Sequence, residues 1–452
     1  MQKRLSSELA RRFHSVEAVG VLARGSGAAL FVQTAGIGIA YVGQILLARW
    51  LGVVDYGVYA YFYSWIQVFA AVALLGMDLG VVRFIPEYII RQDWRHLRGI
   101  LRWSRRLAFL AGCVLACVSA AVLFVFKPVH SSTGTLLTGS LIIPLFTMVA
   151  LQTEIVRSVK RVFLSYGIPL LLLPLLILLV AFAFLYLLGN LTDSLAVAAM
   201  GISLCIVVPI QWIVIDRLFS GYTRGVPAAY TGTAWLKVSL PLLFNSLFAV
   251  LLLRIDTLAV GMILGPEEVG VYSAAVRTAT IIGITLAAAN IIVAPMIASY
   301  NAAQDAKGLQ EVVSLATMGS FALSLLLGVG LTVFNGPLLR SFGPEFIQAR
   351  FPLLILIAGQ LVNVGSGSVG LLMILTGHEK QSMIVLGGCA VLVGALCLLV
   401  IPVFGIIGAA VVAMLGNSLW NLWMYRLVVK HLGIYPSIFY AVRRTFLPRI
   451  ET

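Results

Sequence analysis

Apolar residues run along this chain in blocks that are far longer than the strands or helices of a soluble core, with short polar stretches between them. The blocks lie near 27–48, 57–81, 107–127, 136–155, 163–188, 194–215, 238–264, 270–298, 312–335, 350–375, 382–402 and 404–426. Most exceed the roughly 20 residues that carry a helix across the hydrocarbon layer. The pattern predicts an all-α, polytopic membrane protein of about 12 transmembrane helices. Pro144, Pro169, Pro174, Pro209, Pro241 and Pro295 fall inside blocks. They predict kinks, which membrane helices tolerate when neighbours satisfy the freed carbonyls.

The pattern also repeats. Leu51-Gly52-Val53-Val54-Asp55-Tyr56-Gly57-Val58-Tyr59-Ala60 returns 213 positions later as Leu264-Gly265-Pro266-Glu267-Glu268-Val269-Gly270-Val271-Tyr272-Ser273. Six spans separate the copies, and six is even, so both run through the membrane the same way. This predicts two parallel six-helix repeats about a pseudo-twofold axis along the membrane normal. The expected organisation is a basic segment at 1–26, a first lobe at 27–215, a linker at 216–237, a second lobe at 238–428 and a tail at 429–452. Each copy marks a short turn between the first two spans of its half. Gly52 and Gly265 suit left-handed helix C-caps. Gly57 and Gly270 suit close helix approach.

Composition agrees with a lipid solvent. Of 452 residues, 61% are hydrophobic and 11% charged, and the mean hydropathy is +1.03. Soluble proteins average about 25% charged residues. Lys and Arg set the orientation. With the N-terminus in the cytoplasm, 25 of the 31 fall in cytoplasmic tails and loops and 4 outside. Both termini are therefore expected in the cytoplasm of a bacterial or archaeal cell, with the chain in its inner membrane. The net charge of +14 reads as topology and contact with membrane lipids, not nucleic-acid binding. At the N-terminus, Leu5, Leu9, Phe13 and Val16 lie opposite Lys3, Arg4, Arg11 and Arg12, as in an interfacial amphipathic helix or a basic tail. Trp50, Trp94, Trp103, Trp212, Trp235 and Trp423 fall at span ends as an aromatic belt. The five cysteines lie in apolar segments without metal-ligand spacing, and the five histidines lie scattered in tails and loops. No cofactor or metal site is expected.

Polar residues inside the spans mark the candidate chemistry. Gln33 and Gln44 are three turns apart on span 1, with Tyr41 beside them, and Ser64 and Gln67 share a face of span 2 with Asp78. The repeat carries these positions to Ser246 and Thr257 on span 7, and to Arg277 and Thr280 on span 8. Arg254 joins the first of those faces. The expected site is a polar cavity lined by spans 1, 2, 7 and 8. A central Arg costs about 2.5–3.5 kcal/mol on insertion scales. Arg254 therefore meets water, an anionic ligand, or an acid from another span such as Asp78. Asp78 and Asp256 are candidate coupling or ion-pair acids. Arg24, Arg49 and Arg83, at span ends, are candidate cationic residues whose default is to snorkel to head groups.

The chain resembles the polysaccharide flippase family of the multidrug/oligosaccharidyl-lipid/polysaccharide exporter (MOP) superfamily. The resemblance rests on Ala48-Arg49-Trp50-Leu51-Gly52 through Tyr56-Gly57-Val58-Tyr59, on Leu75-Gly76-Met77-Asp78-Leu79-Gly80-Val81-Val82-Arg83-Phe84, on Arg254-Ile255-Asp256, and on Leu264-Gly265 through Tyr272. It implies alternating-access export of a polyprenyl-diphosphate-linked oligosaccharide for cell-surface polysaccharide synthesis. It also implies cavity arginines, for which Arg254 and Arg277 fit best, and neighbouring polymerase and glycosyltransferase enzymes as partners. Membrane potential, Na⁺ or H⁺ would drive it; the chain has no Gly-x-x-x-x-Gly-Lys-Ser/Thr phosphate loop. A cation-coupled multidrug exporter of the same superfamily is the alternative. A membrane glycosyltransferase or polymerase fits poorly, because the outer loops are short, so no enzyme activity is expected.

Overall fold

The computed structural model describes residues 17–126, 133–159 and 161–446. Residues 1–16, which carry the expected N-terminal amphipathic pattern, lie outside the described residues. The described chain is helical: α1 (Glu17–Ala73), α2 (Met77–Ile90), α3 (Trp94–Phe126), α4 (Thr133–Ser158) and α5 (Val162–Gly167) come first. A π-helical turn at Ile168–Leu172, holding Pro169, leads into α6 (Leu173–Leu188). Then follow α7 (Asp193–Thr223), α8 (Gly232–Ile263), α9 (Pro266–Ala302), α10 (Ala306–Val333), α11 (Asn335–Arg340), α12 (Arg350–Gly365), α13 (Val369–Leu375), α14 (Glu379–Leu432) and α15 (Ile438–Phe446).

Ten helical stretches are long and apolar enough to cross a membrane. Two of them, in α1 and α14, hold two spans apiece, broken at Gly52 and Gly405, so the twelve expected spans are present. Span 2 ends earlier than its apolar block, at Ala73. Leu75 and Gly76 then take positive φ, and α2 starts as a separate helix. The tenth block likewise breaks between α12 and α13, where Gly367 has φ 74°.

The two copies of the repeat share one backbone conformation. Gly52 has φ 74° and ψ 175°, and Gly265 has φ 105° and ψ −178°. This is not the left-handed helical cap expected from sequence. It is an extended conformation of inverted hand that is essentially restricted to glycine. Open space surrounds a Cβ built at either position, so torsion alone demands glycine there.

The chain packs as two compact units. One takes in the chain up to Gly43 with Phe62–Val250; the other takes in Gln44–Tyr61 with Leu251 onward. The divisions fall inside α1 and α8, so packing unit and sequence repeat are different partitions of the chain. The first unit is built around Leu74, Met77, Val81, Ile85, Leu97, Ile100, Leu151, Ile155, Ile215 and Trp235. Trp235 is 1% exposed and its Nε1 donates to Tyr88 Oη at 2.7 Å. It is a core residue with a satisfied N–H, not the belt residue its position suggested. Trp212 and Trp423 are exposed, as a belt requires.

In the second unit the two copies of the repeat lie against each other. A Cβ at Gly57 would overlap the carbonyl oxygen of Pro266 and sit 2.9 Å from the Gly270 nitrogen. A Cβ at Gly270 would overlap the carbonyl oxygen of Val53. Val53 and Pro266 are themselves counterparts under the 213-residue shift. Each glycine thus meets the same atom of the other copy, as two parts related by a twofold axis must. Around this crossing pack Ala60, Ala259, Val260, Val269, Tyr272, Cys397 and Ile401.

Candidate functional site

The predicted site residues are distributed over both units. In the second unit, Tyr272 Oη donates to Asp256 Oδ2 at 2.7 Å, tying α9 to α8. Asp256 Oδ1 accepts from the Thr257 backbone N–H at 2.7 Å and from the Thr257 hydroxyl at 3.3 Å. All three residues are buried. Spans 1 and 2 carry an equivalent clamp, with Tyr56 Oη donating to Gln44 Oε1 at 3.1 Å. Gln44 and Thr257 are repeat counterparts, while the clamping tyrosines are not; Tyr272 corresponds to Tyr59. Asp256 Oδ2 thus serves a hairpin clamp, while Oδ1 is held by the neighbouring Thr257. Tyr272→Phe leaves one buried oxygen without its donor, which costs about 1–3 kcal/mol. A lowered melting temperature of the purified protein, with transport retained below it, is the expected reading.

Arg254 is half-buried on α8, close enough to Asp256 for their charges to interact. Arg277 is half-buried on α9. Thr280, one turn on, is exposed and donates to the Val276 carbonyl at 2.7 Å. Arg49 is exposed, and its Nε donates to the Ser341 carbonyl at 2.6 Å, so it fastens a loop.

The first unit holds Gln33, Tyr41, Ser64, Gln67, Asp78, Arg83 and Ser246. Gln33, Tyr41 and Gln67 are half-buried, Ser64 is buried and Arg83 is exposed. Gly36, on the same face as Gln33, lies against Leu170 of the π-helical turn; a Cβ there would come 2.8 Å from the Leu170 Cβ. That part of the span 1 face therefore packs on a helix. Arg24 lies on α1 outside the residues whose side chains are described.

Asp78 and Ser246 are brought together. Ser246 Oγ donates to Asp78 Oδ2 at 2.5 Å, and Asp78 Oδ1 is buried without a protein partner. The surrounding sequence explains the contact. A Cβ at Gly76 would overlap the Ser239 carbonyl oxygen and sit 2.6 Å from the Leu243 nitrogen, and one at Gly80 would overlap Ser239 Oγ. Gly76 and Gly80 let α2 cross α8 almost backbone to backbone, over Ser239, Leu243 and Ser246, which share one face. Asp78 sits in the first turn of α2, where the helix dipole favours a carboxylate.

Several polar groups escaped sequence reasoning. Glu154 on α4 pairs with Arg157 at 2.5 Å, and both are near enough to Asp78 for charge interaction. Gln211 Nε2 donates to Thr153 Oγ1 at 3.1 Å, and Gln152 is fully buried with neither amide atom bonded to protein. The run Gln152-Thr153-Glu154 at the end of an apolar block was the available signal. Arg105 is 5% exposed within α3. It pairs with Asp216 at 3.3 Å and lies 4.3 Å over the Trp212 ring. His378 and His431, expected apart, have ring centroids 4.7 Å apart, because the turn at Gly405 folds α14 back on itself.

Comparison with known proteins places this architecture. A family model described as polysaccharide biosynthesis protein matches residues 22–301, and one described as MatE matches 241–400. A comparison with curated proteins gave no match. Among solved structures, a MATE transporter in complex with MaL6 aligns with TM-score 0.67 at 14% identity, covering 93% of this chain and 100% of that one. A MOP superfamily transporter from Pyrococcus furiosus, described as having a binding pocket of reversed polarity, aligns with TM-score 0.67 at 13% identity, covering 93% and 99%. The inward-facing form of a multidrug resistance MATE transporter aligns with TM-score 0.66 at 15% identity, covering 90% and 95%. At such identities the structures speak for the fold, while the family model spans more than half of the chain. The chain belongs to the polysaccharide biosynthesis protein family and is a multi-pass membrane transporter of the MOP superfamily.

Proposed function

We propose that this transporter is a flippase for a lipid-linked oligosaccharide. It moves a polyprenyl-diphosphate-linked glycan from the cytoplasmic to the outer leaflet of a bacterial or archaeal inner membrane, for cell-surface polysaccharide synthesis. The reading is carried by the family match over 22–301, which takes in both copies of the repeat. Arg254 and Arg277 support it. A diphosphate cannot cross hydrocarbon bare, and guanidinium recognises phosphate bidentately. In this reading Gln33, Tyr41, Gln44, Ser64, Gln67, Ser246, Thr257 and Thr280 supply polar surface for the head group, while the polyprenyl tail stays in lipid.

The halves 27–215 and 238–428 rock to expose the head group to each side in turn. An inside-negative potential pulls anions outward, worth about 2.3 kcal/mol per charge per 100 mV across the full field. Export then needs no nucleotide, and the chain works as a transporter beside separate glycosyltransferases and polymerase, not as an enzyme. The test uses proteoliposomes loaded with a fluorescent polyprenyl-diphosphate oligosaccharide in the leaflet opposite an added glycosidase. Cleavage that depends on the protein is expected; the same slow cleavage with and without protein would refute the flippase.

A second reading, a cation-coupled drug exporter, draws on the MatE match and on the buried Asp78 carboxylate. Uptake of a cationic dye by the same vesicles, with no movement of the glycan, would select it. Either reading allows Asp78 to carry the coupling cation. Asp78→Asn keeps the side-chain shape and the Ser246 contact while removing the charge. Transport by this variant is expected to stop responding to an imposed proton or sodium gradient. An unchanged response would assign Asp78 to the helix crossing alone.

A further inference from the structure

We propose that α15 (Ile438–Phe446) is an interfacial anchor that docks on the anionic head-group layer of the bilayer holding the protein. At 9 residues it is too short to span. It is nonetheless held firmly. Gln310 grips the backbone of Tyr435 with both amide atoms, accepting from its N–H at 2.8 Å and donating to its carbonyl at 3.0 Å. Pro436 and Ile438 seat against Gly367 and Gly365, where added Cβ atoms would come within 2.5 and 3.4 Å. Ala441 is fully buried. The opposite face carries Phe439, 86% exposed and the most exposed large apolar residue described, with Val442 and Arg443, both exposed.

Most other exposed apolar residues lie on helices long and apolar enough to cross the membrane, where lipid tails cover them. Phe439 lies on none of these. A short helix with one apolar face and flanking bases lies in the interface, its apolar face at the head-group boundary. Charge selects the lipid. From Lys380 to Ile450 the chain has no acidic residue, while Arg426, Lys430, Arg443, Arg444 and Arg449 supply positive charge. A basic residue near an anionic leaflet contributes about 1 kcal/mol, roughly a fivefold preference.

The test places a bimane fluorophore at Phe439→Cys in a full-length chain lacking Cys113, Cys117, Cys205, Cys389 and Cys397, kept only if monodisperse. The protein is put into nanodiscs of phosphatidylcholine with or without phosphatidylglycerol, each doped with lipid bearing a nitroxide near the head group. Blue-shifted, strongly quenched emission with phosphatidylglycerol is expected. Arg443→Gln should lower the anionic-lipid preference about fivefold. Water-like, unquenched emission in both discs would overturn the anchor. Equal quenching in both would overturn its choice of anionic lipid.

Discussion

Alanine at Gly57 or Gly270 is expected to disable the transporter severely. Each Cβ would overlap a backbone carbonyl oxygen of the opposite repeat. A carbonyl in the first turn of a helix has no rotamer by which to retreat, so the helices must separate. Overpacking of this kind costs about 1–3 kcal/mol, and each kcal/mol lowers the melting temperature of a 150–250-residue unit by about 2–4 °C. Heating the detergent-purified protein and following its monodisperse fraction measures this directly. The reciprocal geometry adds a sharper expectation. Once one alanine has parted the helices, the second finds room, so Gly57→Ala with Gly270→Ala should cost less than the two singles combined. Two harmless, additive alanines would mean that the repeats do not meet through these glycines.

The second large effect belongs to the guanidinium groups. Arg254→Ala and Arg277→Ala are each expected to reduce glycan export in proteoliposomes roughly ten- to a hundredfold. That follows from about 1.5–3 kcal/mol for a hydrogen bond to a charged group. Lysine should recover only part of the loss, because a point charge replaces a planar fork. Melting temperature separates the roles. Arg254 lies within electrostatic range of Asp256, so a purely structural arginine would lose stability and export together. Full export by both alanine variants at wild-type protein level would remove the cationic head-group site.

The sequence was most legible where the physics is one-dimensional. A run of about 20 apolar residues needs no partner to declare itself a span, and twelve spans appear, the second shorter than its block and the tenth block broken at Gly367. The repeat was equally plain, since Gly57 and Gly270 keep both spacing and residue type. Partner choice was not legible. Tyr56 and Tyr272 both clamp the preceding span, yet they occupy different positions in the repeat, so an alignment by 213 residues does not pair them. Trp235 was misread because a neighbouring helix decides its burial, and His378 and His431 because the turn at Gly405 brings them together. Glu154 stood at the end of an apolar block, where a polar residue is unremarkable. Of the candidate site, the residue types and helix faces could be read; the contacts between Asp78 and Ser246, and between Asp256 and Tyr272, required the fold.

Gly52, Gly265 and Gly405 hold φ of 74°, 105° and 58° with ψ of 175°, −178° and −145°. Inverted through the origin, each pair of angles falls in the broad extended basin open to every ordinary amino acid. These three bends are therefore pieces of mirror-image strand written into a helical protein. A semisynthetic chain with D-alanine at position 52 should melt with the natural protein, while its L-alanine twin should melt earlier.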